Sequence, residues 1–389
     1  IDHRLRETDV SDQNTQGVYP GLGMPVADIL THDIIFIIGA EPAVLAISVP
    51  LAFAAAIGSA GKHGVLIKGG IYLEELAAVR AIAFDKTGTL TRGKPVLTDI
   101  VPLGDVTHAQ LIQIAGSLAS NSNHPLSRAV HDHVNEEKTQ LMPVSNFQSI
   151  TGSGIQATIG SEEFKMGSPN FFANHDQYIA TLPQFKKLSE NGKTVTFVGT
   201  DEKLYGLLAI LDTPRPEAKE MLTELSKLGI KSVMLTGDHT LVGQSIGREL
   251  GISEVAAELK PTDKVNKIIN LKSTYGHVGM VGDGVNDAPA LAESSVGMAM
   301  GTAGTDAALE AANVALLGDK KIKIPYTIRL ARATKTIVTQ NLVFSIGLLS
   351  VTIIMAVFSL TSLSTLLLIH EGGEVLVILN GLRLFRSQA

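Results

Sequence analysis

A carboxylate, a lysine and three threonines are packed into seven residues, Asp85-Lys86-Thr87-Gly88-Thr89-Leu90-Thr91. The apolar run Ala81-Ile82-Ala83-Phe84 ahead of them reads as a strand that stops at a tight loop marked by Gly88. A carboxylate at the carboxyl end of a strand lies where open α/β sheets place their chemistry. The small residues after it leave room for a phosphate to approach backbone N–H groups. Asp85 is therefore a candidate nucleophile, able to carry a phosphoryl group as an aspartyl-phosphate. Three later motifs supply partners. Thr236-Gly237-Asp238 closes the strand-like run Ser232–Leu235, and a hydroxyl with a turn can hold a phosphate oxygen. In Pro261-Thr262-Asp263-Lys264 the lysine can neutralise developing phosphoryl charge. Gly282-Asp283-Gly284-Val285-Asn286-Asp287-Ala288-Pro289 packs two carboxylates and an amide into a Gly-rich loop, a set of hard oxygen ligands suited to Mg²⁺ beside a phosphate. Each motif alone also fits a bare turn or a solvated lysine. All are expected at the carboxyl ends of strands of one sheet, and this joint placement is the stronger signal.

The elements that must position these groups follow from hydrophobic patterning. Strand-like Gly206–Leu211, Lys231–Leu235 and Gly279–Val281 alternate with helical patterns over Pro216–Leu228 and Leu241–Leu250, which predicts a parallel sheet. Residues 95–205 differ. They mix helical segments (Thr107–Leu118, Leu126–Glu137) with alternating strand-like ones (Ile155–Ile159, Thr194–Val198), and read as an inserted domain. The sheet-forming unit therefore comprises 78–94 and 206–320. The chain has 389 residues, 45% hydrophobic and 18% charged, which suggests several units and membrane segments. Glu41 is the only charge between Ile34 and Ala60, and 34–62 is expected to cross a bilayer, with Pro42 and Pro50 interrupting it. Residues 1–33 read as a loop or lead-in. From Thr336 to Ile369 there is no charge, and Ser359–Ser362 reads as a turn between spans at 336–358 and 363–384. Lys62, Arg383 and Arg386 place the flanks on a cytoplasmic side. With no cysteine, the chain holds neither disulfide nor thiolate metal site, and its net charge of -6 without long basic runs argues against a nucleic-acid partner.

Asp85-Lys86-Thr87-Gly88-Thr89, Thr236-Gly237-Asp238 and Gly282 to Pro289 together resemble the signature motifs of P-type ATPases, ion pumps built on a haloacid-dehalogenase-like core. The resemblance covers about residues 34–386. It implies an α/β haloacid-dehalogenase-like P domain with a parallel Rossmann-like sheet, an inserted α+β nucleotide-binding N domain, and transmembrane helices. It also implies that ATP phosphorylates Asp85. Asp85, the Thr87 carbonyl and Asp283 would then hold Mg²⁺, with Asn286 and Asp287 in support. Thr236 and Lys264 would hold the phosphoryl group, with Lys86 and Asp238 in the same catalytic set. Asp212-Thr213-Pro214-Arg215 resembles the hinge after the inserted domain. Ser122-Asn123-His124-Pro125-Leu126 resembles the Ser-Glu-His-Pro-Leu motif of the heavy-metal subfamily, with Asn123 in the glutamate's place. By that resemblance Asn123, His124 and Pro125 contact the nucleotide, as do Gly152, Gly154 and Gly167.

The subfamily's Cys-Pro-Cys or Ser-Pro-Cys membrane motif reads Glu41-Pro42-Ala43 here, and His370-Glu371-Gly372-Gly373-Glu374 resembles the His-Glu-Gly-Gly motif of the cobalt, zinc and iron branch. His370 and Glu374 are one helical turn apart, so one face can present imidazole and carboxylate. With Glu41 and Glu371 the set is oxygen and nitrogen only, which favours a harder or borderline divalent ion over Cu(I). No Thr-Gly-Glu actuator segment occurs, and the chain does not open on Met. The expectation is the C-terminal portion of a multi-pass pump of a bacterial plasma membrane, with cytoplasmic catalytic domains. Its partners would be ATP, a divalent cation, the bilayer and a separate chain supplying the actuator domain and earlier helices. A soluble dehalogenase-superfamily phosphatase and an inactive nucleotide-binding membrane remnant remain the alternatives. Such phosphatases carry an acid two residues after the nucleophile, where this chain has Thr87.

Overall fold

The protein is described by a computed structural model over residues 26–282, 287–300, 310, 312–318, 323–358 and 360–386. It divides into two units, Ile1–Ala56 with Ala333–Gln388, and Ile57–Arg332.

In the second unit a seven-stranded sheet runs Val65–Ile67, Val314–Leu316, Val296–Met300, Val278–Gly282, Ala81–Asp85, Lys231–Leu235 and Glu254–Ala256 in spatial order. All neighbours are parallel except the edge strand Val65–Ile67, which pairs antiparallel with Val314–Leu316. Every residue of Ala81–Asp85 and Val278–Gly282 is buried, as expected for parallel strands covered on both faces. One face is filled by Ile268 and Leu271 of the helix Pro261–Tyr275 and by Ala290 and Leu291 of Ala288–Glu293, against Ala81, Ala83, Val233 and Met280. Each such buried aliphatic side chain contributes about 1.5–3 kcal/mol relative to exposure. From Ala81–Asp85 the sheet grows one way through Lys231–Leu235 and Glu254–Ala256. It then recrosses to Val278–Gly282 and grows the other way. Asp85 thus ends the strand at which the winding reverses, the position where open α/β sheets form a crevice.

The insert is a six-stranded antiparallel sheet in the order Val96–Pro102, Leu204–Leu211, Thr194–Gly199, Glu162–Gly167, Gly154–Ile159, Val144–Ile150. Here the expectation for Gly206–Leu211 is corrected. The strand is not part of the parallel sheet but lies between Val96–Pro102 and Thr194–Gly199. A run of apolar residues fits a central strand of either sheet, and the hairpin from Thr194–Gly199 decides between them. Helices His108–Ala119 and Pro125–Glu137 cover one face over Ile155, Ala157, Phe164 and Met166. Phe172, Ile179, Phe185 and Leu188 cover the other, against Phe197 and Leu207. Thr107 caps the first helix in a reciprocal box with Gln110, and Pro125, Pro183, Pro216 and Pro261 each sit in the first turn of a helix.

The first unit consists of helical segments from Val26–Gly39, Ala43–Lys62, Lys323–Val357 and Leu363–Arg386. Among the described residues three stretches, Asp33–Lys62, Lys323–Val357 and Leu363–Phe385, are long and apolar enough to cross a membrane. Ile37, Val343 and Leu368 are 68%, 67% and 73% exposed, so the apolar faces point outward, as lipid requires and water would not tolerate over this area. Three boundaries differ from expectation. The described part of the lead-in is helical from Val26, 34–62 is two helices rather than one, and the helix expected at 336 begins at Lys323. The break falls at Ala40-Glu41-Pro42, because Pro42 lacks the N–H that would continue the first helix. The carbonyl of Gly39, next to the break, accepts a hydrogen bond from Thr352 Oγ1 at 2.8 Å. The approach at Gly39 is close: a Cβ would lie 3.2 Å from Ala356 Cβ and from the Thr352 carbonyl oxygen.

Candidate active site

The register of the parallel sheet sets the geometry. Asp85 pairs with Leu235 and Phe84 with Val281, so Thr236 and Gly282 leave the sheet on either side of the aspartate. Asp85 is 6% exposed. Lys264 Nζ donates to Asp85 Oδ1 at 2.5 Å and to Asp287 Oδ1 at 2.7 Å. Lys264 does not follow a strand, as the sequence suggested. It sits in the first turn of Pro261–Tyr275, reaching in from a helix. Burial disfavours its charge, but Asp85 and Asp287 outweigh this and hold its pKa above the ordinary lysine value. Asp287 is 1% exposed and packs on the strand end, where a Cβ on Gly282 would lie 2.7 Å from Asp287 Oδ2. Glycine at 282 is thus required by the carboxylate beside it.

Lys86 points to a second carboxylate. It pairs with Asp238, whose Oδ2 also accepts from Thr236 Oγ1 at 2.9 Å and whose Oδ1 accepts from Thr194 Oγ1 at 3.1 Å. Burial works against the Asp238 charge, yet Lys86 and these donors hold its pKa below the usual carboxylate value. Burial likewise opposes the Lys86 charge, and the Asp238 carboxylate overcomes it and raises its pKa. The Thr236 hydroxyl, expected at the phosphoryl group, is engaged with Asp238 here.

The loop after Asp85 is held from the hinge segment, a role its motif did not reveal. Thr91 Oγ1 donates to Asp212 Oδ2 at 2.5 Å, and Gly93 N donates to Asp212 Oδ1 at 3.0 Å. Arg215 Nε donates to the Thr91 carbonyl at 2.7 Å and Nη2 to the Gly88 carbonyl at 3.1 Å. Gly88 and Gly93 have φ of 73° and 66°, and a Cβ on Gly93 would lie 2.9 Å from Gly88 Cα. Thr87 precedes that left-handed residue in an extended conformation. Sequence distance hid the clamp: Asp212 and Arg215 lie more than a hundred residues beyond the loop.

The donors at this edge fit Mg²⁺. Two carboxylates, Asp85 and Asp287, share one ammonium, so the pocket concentrates hard oxygen ligands and negative charge. Asp283 and Asn286 lie outside the described residues.

In the insert, His124 caps Pro125–Glu137, its Nδ1 accepting from Leu126 N at 3.3 Å. Partial desolvation lowers its pKa. Asn123 and Pro125 flank it on the surface. Gly154 and Gly167 are cross-strand partners. A Cβ on Gly154 would lie 2.3 Å from the Met166 carbonyl oxygen, and one on Gly167 would lie 2.3 Å from the Ser153 carbonyl oxygen. Phe171 crowds both positions. Gly152, at φ +79°, forms the turn before them and has open space about it.

The four membrane residues are not assembled into a ligand cluster. Among the described residues no group of three His, Asp or Glu side chains converges. His370 is buried at 7% exposure with Nε2 lacking a hydrogen-bond partner, whereas Glu371 and Glu41 are exposed and Glu374 is half-buried. The i, i+4 spacing puts His370 and Glu374 on one face of Leu363–Arg386, but the fold leaves Glu371 off it.

Residues 79–294 match the haloacid dehalogenase-like hydrolase family. The chain is 43% identical over 352 residues to a probable cadmium-transporting ATPase of Staphylococcus aureus (strain MRSA252), covering 89% of this chain and 48% of that protein. It therefore spans about half the length of the curated relatives it matches. A zinc-transporting PIB-type ATPase crystallised in the E2.Pi state is similar at a TM-score of 0.65 and 35% identity, over 89% of this chain and 56% of that one. The catalytic domain of a CPx-ATPase is similar at a TM-score of 0.53 and 29% identity, over 69% of this chain and 95% of that one. The match spans more than half of the sequence and contains Asp85, Lys264 and Asp287; the chain belongs to the haloacid dehalogenase-like hydrolase family, and its relatives there are cadmium-, zinc- and copper-transporting P-type ATPases.

Proposed function

We propose that this chain is the catalytic part of an ATP-driven pump for a divalent transition-metal cation, and that it works through an aspartyl-phosphate on Asp85. The observation that carries the reading is the Lys264 ammonium bridging Asp85 and Asp287 at the reversal point of the sheet. A carboxylate oxygen of Asp85 attacks the γ-phosphorus of ATP. The bond from that phosphorus to the β,γ-bridging oxygen breaks, and ADP leaves. Lys264 offsets the charge that gathers on the transferring oxygens. Mg²⁺, held by Asp85, Asp287, Asp283 and the Thr87 carbonyl, would add further neutralisation when bound. The clamp from Asp212 and Arg215 keeps the loop closed around the nucleophile. The insert would hold the nucleotide at Asn123, His124 and Pro125 with the backbone notch of Gly152, Gly154 and Gly167. This rests on both Gly154 and Gly167 ending strands of the face that Leu126 packs on.

The cation would pass the helix break at Glu41-Pro42 and the face of His370 and Glu374. Among the described residues nothing hydrogen-bonds the buried His370 Nε2, which suits a ligand role. The catalytic domains would face the cytoplasm, and a second chain would supply the actuator function. The test is incubation of the purified chain with γ-labelled ATP and Mg²⁺, with Asp85→Asn as control. Acid-stable label that disappears in the variant is the expected result. Steady phosphate release from small phosphoesters instead would indicate a phosphatase, and an absence of both label and turnover would overturn the catalytic reading.

A further inference from the structure

The insert and the parallel sheet touch along one seam. Helix Pro183–Glu190 of the insert lies on helix Thr240–Leu250, which follows Asp238. Ser245 Oγ donates to the Glu190 carbonyl at 2.7 Å. The Phe185 and His239 rings meet edge-on at 5.3 Å. Gly192, at φ +74°, carries the chain past the middle of Thr240–Leu250, where a Cβ would lie 3.1 Å from Ile246 Cδ1. Lys193 is anchored back into the insert by Asp99 at 2.5 Å. Between these anchors Thr194 Oγ1 donates to Asp238 Oδ1 at 3.1 Å.

That hydrogen bond divides the Asp238 carboxylate between two domains. Oδ2 takes the Lys86 ammonium and the Thr236 hydroxyl, and Oδ1 takes Thr194. A carboxylate held at both oxygens is restrained from turning about its Cβ–Cγ bond, which favours one partner direction for the Lys86 side chain. Lys86 is the neighbour of Asp85, and its backbone carbonyl accepts from the Thr91 N–H of the same loop at 3.0 Å. We propose that Thr194 is a positioning residue. From the nucleotide-binding insert it fixes the orientation of Asp238, and through Asp238 and Lys86 the loop that carries the phosphorylated aspartate. The insert thereby reports its docked position to the nucleophile through one hydroxyl. Without that hydroxyl, Oδ1 loses a donor in a mostly enclosed site, and the carboxylate and Lys86 gain alternative orientations.

The inference rests on Asp85 being phosphorylated from ATP, and its test separates the two. Phosphoenzyme formation is timed in wild type, Thr194→Val and Thr194→Ser of the full chain, across ATP concentrations. Thr194→Val is expected to slow labelling at saturating ATP about tenfold, the scale of one hydrogen bond to a charged group. The half-saturating ATP should move by less than about twofold. Thr194→Ser, which keeps the hydroxyl, is expected to restore most of the rate. Loss through half-saturation alone would make Thr194 a nucleotide contact, and an unchanged rate would make it inert; either overturns the proposal. Amide hydrogen exchange in the same proteins gives a reading that needs no turnover. Thr194→Val should speed exchange over residues 86–91 and at Asp238, and Thr194→Ser should not. Unchanged exchange there overturns the proposal even in a chain that takes no label, while absence of label in wild type counts against the proposed function alone.

Discussion

Replacing Lys264 by methionine tests the centre of the site, because it removes the charge and keeps most of the volume. The ammonium lies 2.5 Å from Asp85 Oδ1 and 2.7 Å from Asp287 Oδ1, with the three side chains 11%, 9% and 1% exposed. At an effective dielectric near 20, each contact is worth roughly 6–7 kcal/mol of gross attraction. Desolvation of three charges offsets most of that sum. What the substitution costs is set by the two carboxylates left facing each other without a counter-charge, about 3–5 kcal/mol by analogy with broken buried pairs. In a domain of this size a kilocalorie corresponds to roughly 2–4 °C, so the melting temperature should fall by about 6–20 °C. Circular dichroism melts of the full chain in detergent would measure it, since the chain has no tryptophan for fluorescence. Mg²⁺ should restore stability to Lys264→Met more than it adds to wild type, because a divalent cation can take the vacated charge between the two carboxylates. An equal melting temperature in both proteins, or the same response to Mg²⁺, would refute the account of Lys264 as the counter-ion of this pair.

Gly167→Ala should destabilise the insert by about 2–4 kcal/mol and abolish nucleotide binding, because its Cβ would overlap the Ser153 carbonyl at 2.3 Å; separate melts of the full chain with and without ATP would show both losses. The Asp238 pair should set the acid limit. Its folded pKa lies below the 3.8 of the free side chain, so its contribution is complete above that value and is lost as pH falls through the folded value. Denaturant titrations of wild type and Asp238→Asn should therefore differ by a constant amount between about pH 5 and 9 and converge in acid; parallel pH curves down to pH 2 would contradict this.

The sequence by itself determined three strands of the parallel sheet and where each of them ends. The ends at Asp85, Leu235 and Gly282 were legible because a buried parallel strand is a short apolar run, and the residue that breaks the run marks its carboxyl end. The helical patterns over Thr107–Leu118 and Pro216–Leu228 were legible and formed as His108–Ala119 and Pro216–Lys227, because helical periodicity is local. The break at Pro42 was legible too, since a missing N–H acts within one turn, whereas Pro50, also expected to interrupt the span, lies inside the continuous helix Ala43–Lys62.

Only the tertiary structure decided what acts across sequence distance. Gly206–Leu211 has the composition of a strand in either sheet, and its place followed from hydrogen bonds to Thr194–Gly199 and Val96–Pro102. Asp212 and Arg215 read as a hinge and turned out to grip the loop after Asp85. Lys86 faces Asp238 rather than sharing Lys264's place beside Asp85 and Asp287. Thr194 belongs to no motif, and its hydroxyl gains meaning only because the seam at Ser245 and Phe185 brings it to Asp238. Side-chain pairing depends on which faces of two packed elements meet. Packing fixes that, and the one-dimensional pattern of apolar residues does not encode it.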